Sequence, residues 1–142
     1  MIVLDTNVIS ELMRAAPDRR VVRFLDRLDR RAVRTNAISV AEIRLGIARL
    51  PRGRRRTLLA KFADELFATI LWGKILPFDE GAATTCAHIE ARRSERGRPI
   101  ALADALIAGI CLQHGATLAT RNVKDFGSAG LRLVDPWETP VD

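Results

Sequence analysis

Cysteine and histidine are scarce in this chain, with two of each in 142 residues. Cys86 and Cys111 stand alone in apolar helical stretches. They form no CxxC pair and no Cys/His ligand spacing, so a zinc cluster and a disulfide framework are excluded. Both read as buried, reduced and structural. His88 and His114 are too far apart for a local metal motif and have no obvious Ser or Cys nucleophile partner. Glycine-rich phosphate loops are missing too, since neither GxxxxGK(S/T) nor GxGxxG occurs. Asp5 is followed by Thr6-Asn7, which removes a dehalogenase-like DxD. The acidic pair that a response receiver needs beside its first strand is also absent. The longest apolar run, Ile100 to Leu112, is interrupted by Asp104 and is too short to span a bilayer. No basic segment precedes the apolar opening, as a secretory signal requires. These absences make a cytoplasmic protein with no membrane partner the expectation.

Lysine is rare as well, with three against twenty arginines. The net charge is +6 and the pI about 10.6. That balance points to a polyanionic partner. Arginine's planar fork suits phosphate and carboxylate, although a GC-rich genome produces the same preference. A hydrophobic content of 48% and well-mixed charge fit one domain, residues 1–142, with a sizeable core. No repeat, low-complexity tract or linker divides it.

Strand and helix signals alternate, which predicts a parallel sheet covered by helices. Strands are expected at Ile2 to Asp5, Val33 to Ile38, Lys74 to Phe78, Thr117 to Thr120 and, more weakly, Leu131 to Val134. Helices are expected at Asn7 to Met13, Asp18 to Leu28, Ser39 to Arg49, Arg55 to Leu71, after Asp79 to Glu95, and Ile100 to Gln113. His114-Gly115 stops the last of these. The tail is expected to pack Trp137 against the domain.

Four segments carry possible chemistry. Met1-Ile-Val-Leu-Asp5 reads as a buried strand that delivers a carboxylate to its C-terminal tip, the edge where open α/β sheets bind ligands. Asp5 can equally be a helix N-cap. Asp104 lies among Ile100, Ala101, Ile107 and Ala108, where a carboxylate is costly unless paired or metal-bound. A functional acid and a buried pair with an arginine both fit. Ser39-x-x-Glu42 has the form of a capping box, and it also brings Glu42 to the C-terminal edge of the second strand. Thr120, Asn122 and Asp125 cluster beyond the fourth strand, and alone they are a polar turn.

Together, Val3-Leu-Asp5-Thr-Asn7, Ser39-Val-Ala-Glu42-Ile-Arg-Leu-Gly46, Leu102-Ala-Asp104-Ala-Leu-Ile-Ala108 and Ala119-Thr-Arg-Asn122-Val-Lys-Asp125-Phe126 resemble a PIN domain. Within that family they resemble a VapC-type toxin ribonuclease of a type II toxin–antitoxin system. Each motif alone is weak; four in family order across nearly the whole chain are strong. The resemblance implies a three-layer α/β/α sandwich with strand order 3-2-1-4-5. It implies an acidic pocket for Mg²⁺ or Mn²⁺, with Asp5 and Asp104 as metal ligands. Glu42 would hold a metal water or position the attacking one. Asn122 stands in the slot of the family's fourth acid, and Asp125 lies three residues on. Asn122 would bind through its amide oxygen or through a water, and Asp125, counted with Asp5, Glu42 and Asp104 among the catalytic residues, would orient rather than ligate. Thr6, Asn7 and Thr120 would support these acids. The implied reaction is hydrolysis of an RNA phosphodiester by water, leaving 3′-hydroxyl and 5′-phosphate ends. A small DNA-binding antitoxin and a homodimer are the implied partners. Arg52, Arg54, Arg55, Arg92 and Arg93 are candidates for holding RNA. A PIN-like binding module without catalysis and a metal-dependent DNA nuclease are the rival readings.

Overall fold

The computed structural model describes residues 1–141. Five short strands form one wholly parallel sheet: β1 (Ile2–Leu4), β2 (Val33–Asn36), β3 (Ile75–Leu76), β4 (Thr117–Ala119) and β5 (Arg132–Val134), in the order β3-β2-β1-β4-β5. The helices are α1 (Thr6–Leu12), α2 (Arg19–Asp26), α3 (Ala37–Ala48), α4 (Arg54–Ala68), α5 (Glu80–Glu95), α6 (Leu102–Gln113) and the short α7 (Val123–Phe126). This is the expected three-layer α/β/α sandwich with the expected strand order.

Strand alternation builds a core on each face of the sheet. Val3 packs with Ile89, Ile107, Ile110, Leu118 and Phe126 beneath α5, α6 and α7. Its neighbour Leu4 packs with Val8, Ile9, Val21, Leu66 and Trp137 on the opposite side. The tail therefore docks as anticipated, with Trp137 only 6% exposed. Cys86 and Cys111 are buried and unbridged, also as read. Burial, and then the charge of Asp5, pushes the Cys111 thiol up to about 12, so it is inert as a nucleophile. Among the described residues no helix is long and apolar enough to cross a membrane.

Several boundaries differ from the sequence expectation for physical reasons. β2 stops at Asn36 rather than Ile38, because Asn36 is the N-cap of α3 and accepts the Ser39 N–H at 2.8 Å. α6 begins at Leu102, two residues later than expected. Ala101, close behind Pro99, is still extended at φ −60°, ψ 143°. Asn122–Phe126, expected as a polar turn, closes into a helical turn. Gly115 ends α6 in the left-handed region at φ 60°, as its position after His114 suggested.

α5 and α6 pack so closely that one glycine sets their separation. A Cβ built at Gly109 would lie 2.6 Å from the Ala82 carbonyl oxygen and 3.1 Å from the Cys86 Cβ. Gly109→Ala is therefore expected to destabilise the protein by about 1–3 kcal/mol through overpacking, despite alanine's better helix propensity. A thermal melt checks this, and an unchanged or raised Tm would show that the two helices can part freely.

Candidate active site

The C-terminal ends of β2, β1 and β4 lie side by side, and each is followed by a polar residue. Asp5 follows β1, Asn36 ends β2, and Thr120 follows β4. Asp5 is 4% exposed and is held from several directions. Its Oδ1 accepts the Thr6 N–H at 2.8 Å, which makes it the N-cap of α1. Its Oδ2 accepts the Thr120 hydroxyl at 2.7 Å and the Asn7 amide at 3.4 Å. Both sequence readings of Asp5 are thus satisfied geometrically, as helix cap and as an acid at the sheet edge. Burial raises its pKa, the Thr120 and Thr6 hydrogen bonds oppose that rise, and the nearby Glu42 charge adds to it.

Asn7 joins the two strand ends. Its amide donates to Thr120 Oγ1 at 3.3 Å, and its carbonyl oxygen accepts the Arg121 N–H at 3.3 Å. Thr120, fully buried, also accepts the Asn122 N–H at 3.0 Å.

Glu42 reaches the same place by a route the sequence reading misassigned. The capping box is absent because Asn36, not Ser39, caps α3. This puts Ser39 at the third helical position and Glu42 one turn further along. Buried Ser39 instead takes a hydrogen bond from the Asn36 amide at 3.0 Å and lies 2.9 Å from the Thr6 hydroxyl. Thr6 donates to Glu42 Oε1 at 2.7 Å. With one proton on Thr6 and a pure acceptor in Glu42, Ser39 supplies the proton between the two hydroxyls. A relay from Asn36 to Glu42 results.

Asp104 sits in the first turn of α6, not in a helix interior. Aspartate is favoured there by the helix dipole, so its poor helix propensity is no anomaly. Its unusual feature is electrostatic. Desolvation, followed by the charges of Asp5, Asp125 and Glu42, raises its pKa to about 6. No guanidinium figures among those influences, and the ion pairs among the described residues include none with Asp104. The buried Asp104–Arg pair considered from sequence is therefore not what this geometry contains.

Asp5, Thr6, Asn7, Glu42, Asp104 and Asn122 together line an open cleft of about 610 Å³. Asp125 does not line it. It is exposed on α7, in an adjoining depression with Arg121 and Asn122, near enough for its charge to act on Asp104. Arg55 lines the cleft, and exposed Arg54 joins it along a neighbouring groove. Arg52 and Arg92 are exposed but are not among the cleft's lining residues.

Arg93 is a correction. It is 8% exposed, and its guanidinium donates to the carbonyls of Arg98, Asp125 and Gly127 at 2.7, 3.2 and 2.6 Å. A side chain committed to those bonds ties the loop before α6 to α7 and is not presented to RNA. Sequence reasoning also passed over Glu11, Arg14 and Arg121, which line the cleft. The signal was present for α1, because Asn7, Glu11 and Arg14 recur at helical spacing on one face.

The chain belongs to the PIN-domain family. The PIN-domain family matches residues 2–129. The chain is 42% identical over 138 residues to VapC ribonuclease Y4jK of Sinorhizobium fredii, covering 97% of this chain and 99% of that protein. It is 42% identical over 137 residues to Toxin FitB of Neisseria gonorrhoeae, covering 96% and 99%. Among solved structures, FitAcB from Neisseria gonorrhoeae superposes with a TM-score of 0.91 at 42% identity, covering 97% of this chain and 99% of that one. FitAB bound to an IR36 DNA fragment gives 0.91 at 41% identity, with 99% of each chain covered.

Among the described residues, no three His, Cys, Asp or Glu side chains stand close enough to form a metal cage as they are. The PIN cleft is instead a set of oxygen donors whose anions repel one another. Asp104 shows the consequence. Folding raises its pKa from 3.8 to about 6, so the folded chain holds a proton that the unfolded chain has released. The resulting stability is present below about pH 3.8 and is lost as pH rises through about 6. Asp104→Asn removes the repelled charge. In excess chelator it is expected to raise stability by about 1 kcal/mol at pH 7.5, solvent screening at this partly exposed group limiting the gain. At pH 4 it should change little. Thermal melts at the two pH values check this, and a clear loss at pH 7.5 would reveal a structural role.

Proposed function

We propose that this protein is a metal-dependent endoribonuclease that acts as the toxin of a toxin–antitoxin pair. The observation that carries the reading is the convergence of Asp5, Glu42 and Asp104 on one cleft, with Asp5 and Asp104 both disfavoured as anions. Isolated carboxylates so arranged only cost stability, whereas a cation relieves them. The donors are all oxygen, which fits Mg²⁺ or Mn²⁺. Mg²⁺ takes one or two carboxylates and completes its shell with water and phosphate, so no closed cage is needed. Asp5 and Asp104 would hold the ion, with Asn122 at the fourth side of the cleft and Asp125 acting on Asp104 through its charge. When bound, such an ion polarises a phosphodiester oxygen and makes coordinated water more acidic.

The chain's own residues supply the rest. Thr120, Asn7 and the Thr6 N–H hold Asp5 in one orientation. Thr6 fixes one oxygen of Glu42, so the other can accept a proton from an attacking water near the diester. Arg55 at the rim offers a cation to the phosphate backbone. The relatives named as VapC ribonuclease and toxin support the choice of RNA and the toxin role. The FitAB–DNA complex supports a DNA-binding antitoxin as partner. The groove beside the cleft, about 1030 Å³ and bordered by Ile43, Leu50, exposed Leu58, Arg54 and Arg55, is a surface suited to such a partner. Family resemblance is what supports a homodimer.

Purified protein is expected to cleave structured RNA with Mg²⁺ or Mn²⁺ and to leave DNA of the same sequence intact. Asp5→Asn should lower the rate by at least about a hundredfold, because it removes a ligand of the proposed ion. Full cleavage in excess EDTA, or by the Asp5→Asn protein, would sink the metal mechanism. Preferred cleavage of the DNA strand would favour the DNA-nuclease reading. Expression should arrest growth, and Asp104→Asn should abolish the arrest. Absence of arrest at matched expression would favour a non-catalytic binding module.

A further inference from the structure

The cleft that gathers the acids also gathers guanidinium groups: Arg14 from α1, Arg55 from α4 and Arg121 beyond β4. Two of them are held in place by buried partners. Arg14 Nη1 lies 3.4 and 3.3 Å from the two carboxylate oxygens of Glu11 and donates to them. Glu11 is 6% exposed, whereas the Arg14 side chain is 69% exposed. The Arg121 guanidinium lies 5.0 Å from the centre of the Trp137 ring, itself 6% exposed. An exposed arginine ordinarily samples many rotamers, and a ligand must freeze it. Arg14 and Arg121 are already restrained before any ligand arrives, which favours binding through preorganisation.

Electrostatics gives this arrangement a purpose. Asp5, Glu42 and Asp104 at the cleft repel a polyanion. Planar forks on the same rim restore attraction and match phosphate oxygens geometrically. We propose that Arg14, Arg55 and Arg121 form a phosphate grip for the RNA backbone flanking the cut bond, with Glu11 and Trp137 as positioning residues for the first and last. The proposal rests on the RNA-cleavage reading above.

The test uses the full chain carrying Asp104→Asn as a non-cleaving host, with a fluorescein-labelled RNA hairpin titrated across a range of NaCl. Arg14→Met and Arg121→Met should each weaken binding roughly tenfold and lower the salt slope by about one unit. Arg30→Met, exposed just before β2 and not lining the cleft, should change either quantity little. Glu11→Met is the sharpest arm. It removes a negative charge, so net field alone would tighten RNA binding, whereas release of Arg14 weakens it. In the cleaving protein, Arg14→Met should raise KM and leave kcat nearly unchanged, a split that general unfolding does not produce. Equal losses for Arg30→Met and Arg121→Met would overturn the grip. Unchanged or tighter binding by Glu11→Met would overturn its positioning role. Should the host bind the DNA strand and not RNA, the RNA reading fails, yet the same salt slopes measured on DNA still judge the grip.

Discussion

The structure depends on keeping one carboxylate, Asp5, buried where β1 meets β4. The Asp5 N–H bonds the Ala119 carbonyl at 3.0 Å, so the residue continues the sheet ladder. In the same way the Thr120 N–H bonds the Val134 carbonyl at 2.9 Å. The Asp5–Thr120 hydrogen bond is therefore set by strand register. Slipping β1 by one residue would send its side chains to the opposite faces. Val3 and Leu4, which feed different cores, would lose their places at the same time as Asp5 lost Thr120. The hydrophobic pattern that selects the register thus also selects the geometry of the acid.

The same arrangement gives up some stability. Burial disfavours the Asp5 anion, and Asp104 is held to a pKa of about 6 by desolvation and three neighbouring acids. Packing offsets this from behind. The relay through Asn36, Ser39 and Thr6 satisfies buried polar groups while steering Glu42 toward the cleft. Arg93 does comparable work under the other side, tying the approach to α6 to the α7 turn through main-chain carbonyls. Local departures from the most stable choice, backed by fully bonded neighbours, are what a functional cleft looks like in a fold otherwise consistent with its sequence.

The fold was legible because two simple periods survive in the chain: alternation at Val3 and Leu4, and apolar helical spacing elsewhere. Asp5 was legible for the same reason, being an acid at the end of an apolar strand. Glu42 was found at the right edge for a wrong local reason. Ser39 and Asn36 are both good caps; Asn36 takes the role by accepting the Ser39 N–H, and the Ser39 hydroxyl is engaged instead by the Asn36 amide and by Thr6. Asp104 was singled out as a burial anomaly, and desolvation is indeed the main cause of its raised pKa; what the sequence did not show is that its helix starts late and that acids distant in sequence, Asp5, Asp125 and Glu42, add to the effect. Arg93 was unreadable as a tether. Two of its three carbonyl partners, Asp125 and Gly127, are more than thirty residues away, and a run of arginines gives no sign of which one turns inward. Glu11 was overlooked because a salt bridge with Arg14 at i+3 looks like ordinary surface decoration.

The fourth side of the cleft follows from the same charge balance. Asn122 lines it, while Asp125 stands outside and acts on Asp104 only through its field. A carboxylate at position 122 would add a further anion beside Asp5 and Asp104, which already repel each other. The neutral amide keeps an oxygen donor at that wall without the repulsion. Its carbonyl oxygen can accept from water or face a cation, and its backbone N–H is already engaged by Thr120. Exchanging acid for amide thus trades some attraction for a cation against a lower cost of folding without one. On the proposed reading the arginines lining the cleft would make the trade tolerable, because they would bring positive charge to a phosphate from outside the acid floor.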